Sequence, residues 1–216
     1  MTLYELTKSK VKDETGKLTD PADYDAAISE ALNSYSGNRP RLVVADIPGS
    51  GVTDYATPTG WVEGLSVVES IEYPAGQNPE IILDDDDWRL YRSPAGLKIR
   101  LIEATPQAGE TIRILYTAGH TEASILIMDF EAVGNLAASI CLRMLAAAYG
   151  QSSDSTIMAD SVNYRSKGDE FARRAKELEG LYRAHIGVKE NDTTVAACVT
   201  ASPQRSRRGS LTHRRQ

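Results

Sequence analysis

Residues 129–186 constrain this chain most. They read as two helices joined by a Ser/Asp-rich turn: FEAVGNLAASICLRMLAAAYG, then QSSDSTIMADSVN, then YRSKGDEFARRAKELEGLYRAHI. Phe130, Val133, Ala137, Ile140, Met144 and Ala148 line one face of the first helix, and Leu136, Leu142 and Leu145 occupy others. A helix that is apolar on nearly every side must be surrounded by protein. One partner helix cannot cover it, so the rest of the chain, or further copies of it, must help. Asp129 is placed to cap this helix and Gly150 to close it. The second helix is charged on all but one stripe, in which Tyr164, Phe171 and Leu178 recur every seven residues, with Ala175 and Tyr182 offset. The linking serines and aspartates, Ser152 to Ser155, read as caps and Asx-type turns, with Asp160 or Ser161 capping the second helix.

Upstream, the organisation is helix and then sheet. Residues 1–19 are polar and expected to be mobile. Asp20 and Pro21 form a helix start, followed by Tyr24, Ala27, Ile28, Ala31, Leu32 and Tyr35 at helical spacing, and Gly37 ends the run. From Arg41 the period changes to strands: an apolar run at 42–45, then segments 66–73, 80–83, 88–92, 97–102 and 111–117, separated by turn formers. Ile112, Ile114 and Tyr116 alternate with Arg113 and Thr117, as a half-exposed strand should. The expected arrangement is an antiparallel meander. The fold class is therefore α+β: a small α-helical bundle (one N-terminal helix, two long C-terminal helices), an inserted antiparallel β domain and an extended C-terminal tail. The expected boundaries are 1–19 for a polar segment, 20–37 and 120–187 for the bundle, 38–119 for the β-rich insertion and 188–216 for the tail.

Charge is unevenly spread. The net charge is −6, yet Arg205, Arg207, Arg208, Arg214 and Arg215 lie after Pro203 in a stretch without acids. That leaves 19 basic against 30 acidic residues before it. An acidic body makes a poor general DNA-binding surface, because phosphate contact needs Lys and Arg in excess. The Arg-rich tail cannot fold alone. It suits docking on an acidic protein surface, loose nucleic-acid binding, or a solubilising end.

Little in the chain points to chemistry. Residues 84–87, four aspartates in a row, lack the spaced ligands of a cation loop and read as a hairpin turn. Gly49-Ser50-Gly51 resembles half a phosphate loop but lacks the Gly-Lys-Ser/Thr that should follow. His120, His185 and His213 stand beside no nucleophile motif. Cys141 and Cys198 read as free thiols of a reducing compartment. No catalytic, cofactor or metal site is expected. The N-terminus lacks the apolar core of a signal peptide, and no long charge-free apolar run suggests a membrane span.

Several short motifs resemble one family. They are Trp61-Val62-Glu63-Gly64-Leu65-Ser66 running into Ile71-Glu72-Tyr73-Pro74, the strand end Leu115-Tyr116-Thr117, the block Asn135-Leu136-Ala137-Ala138, and Asp160-Ser161-Val162-Asn163-Tyr164-Arg165-Ser166-Lys167. Together with an early helix, they resemble the head-to-tail adaptor (connector) proteins of tailed bacteriophages, over roughly residues 20–187. The resemblance implies a structural virion protein made in the host cytoplasm and located at the head-tail interface. It implies a homo-oligomeric ring, usually of twelve copies, beneath the portal protein. Such a ring extends the DNA channel, lets packaged DNA pass without sequence-specific binding, and offers a platform to a downstream tail or head-completion protein. C-terminal segments of that family reach the portal, which gives Arg205, Arg207, Arg208, Arg214 and Arg215 a portal-binding role. Tyr164, Phe171, Leu178 and Tyr182 are the expected subunit-packing residues. The competing reading is a small nucleic-acid-binding or regulatory module that uses the Arg-rich tail.

Overall fold

The computed structural model describes residues 1–151 and 161–188, with the side chains of 161–166 excepted. The architecture is α+β, with helices at both ends of the chain and strands between them. Two helices, rather than one, precede the strands. Helix α1 (Leu3–Val11) falls in the segment expected to be mobile. Thr2 and Glu5 form a reciprocal capping box at its start, and Lys12, at φ 52°, closes it. Leu3, Thr7 and Val11, one turn apart, are fully buried. So few apolar residues give a weak periodic signal, and most helical stability comes from tertiary packing. The packing partner is α3, where Gly134 admits α1 closely: a Cβ there would lie 2.3 Å from Leu6 Cδ2.

Helix α2 (Ala22–Asn38) starts without a side-chain cap. Asp20, the expected cap, instead accepts hydrogen bonds from Lys8 Nζ at 2.6 Å and from the Tyr4 hydroxyl, tying the two N-terminal helices together. Gly37 does not stop the helix, which ends one residue later with the Arg39 N–H bonded to the Tyr35 carbonyl.

Helix α3 (Phe130–Gln151) is the spine, and the chain itself covers it. Helices α1, α2 and α4 (Ser161–Ile186) all pack on it. The core they share includes Leu3, Val11, Ala27, Tyr35, Val133, Leu142, Leu145, Ala175 and Tyr182. By length and composition α3 could cross a membrane, but 72% of its most apolar window is buried inside the chain.

Between α2 and α3 lie six strands among the described residues, in two three-stranded antiparallel sheets. The first has the order β1-β6-β3, from Arg41–Pro48, Thr111–Ala118 and Val68–Glu72. The second has the order β2-β5-β4, from Asp54–Ala56, Gly96–Leu101 and Trp88–Ser93. This is not the expected meander. Only β4 and β5 form a hairpin, while β1 pairs with β6 across the whole insertion, Val43 opposite Tyr116 and Ile47 opposite Ile112. Alternation marks a strand and its buried face; it does not name the strand's partner. The segment 80–83 contributes a single bridge, Ile82 to Glu72, rather than a strand. Tyr55, Ile71, Ile99, Leu101, Ile112, Ile114 and Tyr116 form the core of this part. Because β1 follows α2 directly and β6 leads into α3, the first sheet is bolted to the bundle at its central and edge strands.

Candidate functional site

Where the bundle meets the sheet, three side chains converge on one carboxylate. Asp129 immediately precedes α3 and its side chain is only 2% exposed. It does not serve as the expected cap. Its Oδ2 accepts the Tyr35 hydroxyl (α2) at 2.7 Å, Arg39 Nη1 reaches both oxygens at 2.9 and 3.2 Å, and His185 Nε2 (α4) lies 2.9 Å from Oδ1. A buried carboxylate is tolerated only when paired and hydrogen-bonded. Burial alone would raise the Asp129 pKa, but the bonds from Tyr35, His185 and Arg39 outweigh it and hold the group below the ordinary aspartate value. The same bond acts oppositely on its donor: burial, and then the Asp129 carboxylate, push the Tyr35 hydroxyl up to about 12.

A second layer extends the joint. The His120 ring packs on Tyr35 with centroids 4.7 Å apart, and its Nε2 lies 2.9 Å from the Arg39 carbonyl. The His120 backbone N–H donates to Ser36 Oγ at 2.8 Å, and Asn38 Nδ2 donates to the Tyr182 hydroxyl at 2.8 Å. Chemically this resembles parts of a proton-transfer site. Ser124 Oγ lies 3.3 Å from His120 Nδ1, but that hydroxyl also accepts the Thr121 N–H and lies 3.0 Å from the Thr121 carbonyl, closing a short 3-10 turn. Every bond described for Asp129 ties one chain element to another. The arrangement is a clamp.

The clamp presents an apolar edge. Leu126, Ile127 and Met128 stand directly before Asp129, and Ile127 is 95% and Met128 82% exposed. Their C-terminal end is fixed: the Asp129 N–H donates to the Leu126 carbonyl, and the Asp129 side chain is bonded to Tyr35, Arg39 and His185. Three consecutive apolar residues thus stand exposed on a backbone fixed at one end. Their signal in the sequence is an apolar run outside any helical or strand period. The outer face of the first sheet adds Leu42 at 59% and Val44 at 56% exposure, beside exposed Val67.

The expected packing stripe of α4 is used inside the chain. Tyr182 is buried in the bundle core, and Phe171 and Leu178 pack against that core from half-buried positions. Phe171 meets the Tyr149 ring of α3 at 5.4 Å. A single apolar stripe is what a helix needs to lie on its own spine. The side chain of Tyr164 lies outside the described residues, as do Ser152 to Ser155, Asp160, Cys198, His213 and the five tail arginines.

The two motifs weighed for ligand binding are closed turns. Gly49 N–H donates to the Glu110 carbonyl and Gly51 N–H to the Pro106 carbonyl, both at 2.8 Å, so these donors serve the fold instead of a phosphate. In the aspartate run, Asp87 Oδ2 accepts the Asp84 N–H at 3.2 Å, and the Asp87 N–H returns to the Asp84 carbonyl. Among the described residues no group of three or more His, Cys, Asp or Glu is placed to hold a metal ion.

No family model and no curated protein sequence matches the chain. Among solved structures it is similar to a chain in the neck of an empty GTA particle computed with C6 symmetry (16% identity, 79% of this chain and 88% of that one, TM-score 0.32). It is also similar to a chain of the virion of a native gene transfer agent particle (18%, 79% and 88%, TM-score 0.32). A third is a chain in the neck of a native GTA particle computed with C12 symmetry (16%, 77% and 87%, TM-score 0.30). Overlaps this partial carry no function by themselves.

Proposed function

We propose that this chain is a structural adaptor that assembles into a ring at the head-tail interface of a phage-like particle, beneath the portal. The observation that carries the reading is the anchored apolar edge at Leu126, Ile127 and Met128. Among the described residues the bundle core does not use these three side chains. A surface of this kind gains by meeting a neighbouring copy. The sequence motifs that resemble head-to-tail adaptors supply the class of assembly. Copies arranged in a ring would set their acidic bodies around a channel, where like charge keeps DNA from sticking. The arginines beyond Pro203 would dock on the portal, where repetition around the ring multiplies a weak contact.

Electron microscopy and mass measurement on the protein mixed with its cognate portal test this. A ring-shaped complex of portal and many copies of this chain is expected. A chain that stays monomeric beside an unmodified portal would refute it.

A further inference from the structure

The outward face of the second sheet gathers positive charge on an acidic chain. The register sets Asp54 (β2), Arg100 (β5) and Arg89 (β4) in one row, and Ala56, Lys98 and Tyr91 in the next. Both rows point away from Tyr55, Ile99 and Leu101, which fill the sheet core. Arg100 donates to both Asp54 oxygens, at 2.6 and 2.8 Å, and its guanidinium lies 3.5 Å from the centre of the Tyr91 ring. Arg100 first, then Lys98 and Arg89, hold the Asp54 carboxyl below its ordinary value. Three cations thus share one carboxylate, a local surplus of positive charge on a body with 19 basic and 30 acidic residues before Pro203.

The same sheet carries a feature of opposite sign. Asp84, Asp85 and Asp86 are exposed in the turn that leads into β4. The turn is closed: the Asp87 N–H donates to the Asp84 carbonyl at 2.9 Å, and Asp87 Oδ2 accepts the Asp84 N–H. It is also fixed on both flanks, by the Leu83 N–H on the Ile71 carbonyl at 2.8 Å and the Ile102 N–H on the Asp87 carbonyl at 2.7 Å. With both flanks bonded, it cannot swing over the rows of its own sheet. Three carboxylates on a fixed backbone meet cations with little ordering cost. Exposed charges are screened beyond about 8 Å at physiological ionic strength, so facing charges decide such a contact and net charge does not. A DNA duplex suits these cations less well, because an extended polyanion would also meet the acids of the body.

We propose that the sheet face bearing Arg89, Lys98 and Arg100 receives Asp84, Asp85 and Asp86 of a second copy of this chain. Lys98 and Arg89 supply the charge that Asp54 leaves unbalanced. Arg100, held by Asp54 and Tyr91, keeps the face rigid. Opposite charge across a contact sets specificity and register more than raw affinity, so this contact is weak alone and orients copies that meet. Face and turn occupy different parts of the sheet, so every copy offers both halves. The inference does not depend on the portal or on ring closure, since two copies suffice.

Sedimentation of the concentrated full chain at low salt tests it. Wild type should self-associate. An Arg89→Glu, Lys98→Glu variant and an Asp85→Arg, Asp86→Arg variant should each do so about tenfold more weakly, or less still. An equimolar mixture of the two should regain association, because each reversed face then meets a reversed turn. In wild type mixed from isotopically light and heavy chains, a carbodiimide should join Lys98 of one chain to Asp84, Asp85 or Asp86 of the other. Monomeric wild type, a mixture no stronger than its parts, or weakening in the aspartate variant alone would each overturn the proposal. Duplex DNA retarded by wild type but not by the Arg89→Glu, Lys98→Glu variant would overturn it too, in favour of a phosphate backbone.

Discussion

The Tyr35 hydroxyl donates to Asp129 Oδ2 at 2.7 Å across 94 residues of sequence, and both groups are buried. That bond joins the last turn of α2 to the first residue before α3, on either side of the whole β insertion. It closes the base of the insertion, holding its two ends together beside Leu126, Ile127 and Met128.

Removing the carboxylate should therefore be costly. Asp129→Ala strands the buried Tyr35 hydroxyl, while Arg39 and His185, each 42% exposed, return to solvent, a loss of about 1–3 kcal/mol. Chemical denaturation of wild type and variant measures it. A difference below about 1 kcal/mol would mean the clamp is ornamental.

The same group predicts an acid limb. The Asp129 pKa is lowered in the folded chain relative to its unfolded value near ~3.9. The unfolded state thus binds the proton more readily, and stability falls as pH falls. The contribution is fully present above about pH 5 and drains as the pH passes down through the folded pKa. A denaturation series from pH 7 to pH 2 should show a shallower decline in Asp129→Asn than in wild type.

The sequence made much of this fold legible, and the reasons differ by element. The apolar excess of α3 and the stripe of Phe171, Ala175 and Leu178 are dense periodic signals, and both helices are where periodicity places them. Strands β4, β5 and β6 were bracketed by turn formers and fall within about a residue of their expected limits. Helix α1 has too sparse a period to read, since its buried face is Leu3, Thr7 and Val11, and Leu6 gains meaning only against Gly134. Asp129 was misassigned for a similar reason. A carboxylate before a helix looks like a cap locally, and its true partners Tyr35, Arg39 and His185 are scattered along the chain. Pairing of β1 with β6 has no local signature at all.

Close approach of α1 gives a second stability test. Gly134→Leu should push Leu6 away, because even a Cβ would lie 2.9 Å from Leu6 Cγ. Overpacking of this kind costs about 1–3 kcal/mol. Hydrogen exchange should show α1 losing protection first, with the sheet amides unaffected.

Cys141 should be chemically silent. Burial pushes its thiol up to about 12, so it is neither ionised nor reachable near neutral pH. Thiol titration at pH 8 should count Cys141 only after denaturant is added. Rapid labelling of Cys141 in the native protein would show that the bundle core opens readily.

The tail arginines predict a salt-dependent contact. Replacing Arg205, Arg207, Arg208, Arg214 and Arg215 with Gln should weaken portal attachment at least tenfold at low salt while leaving the melting temperature unchanged. Attachment equal to wild type would remove the arginines from the portal interface.

The central claim is that Ile127 and Met128 join copies of this chain. Both are exposed, so an Ile127→Asp, Met128→Asp double variant should fold with stability within about 0.5 kcal/mol of wild type. Mass photometry of each protein mixed with the cognate portal decides the matter. A ring complex is expected for wild type and unassembled monomer for the variant; equal incorporation of both into the ring would rule out this role for Ile127 and Met128.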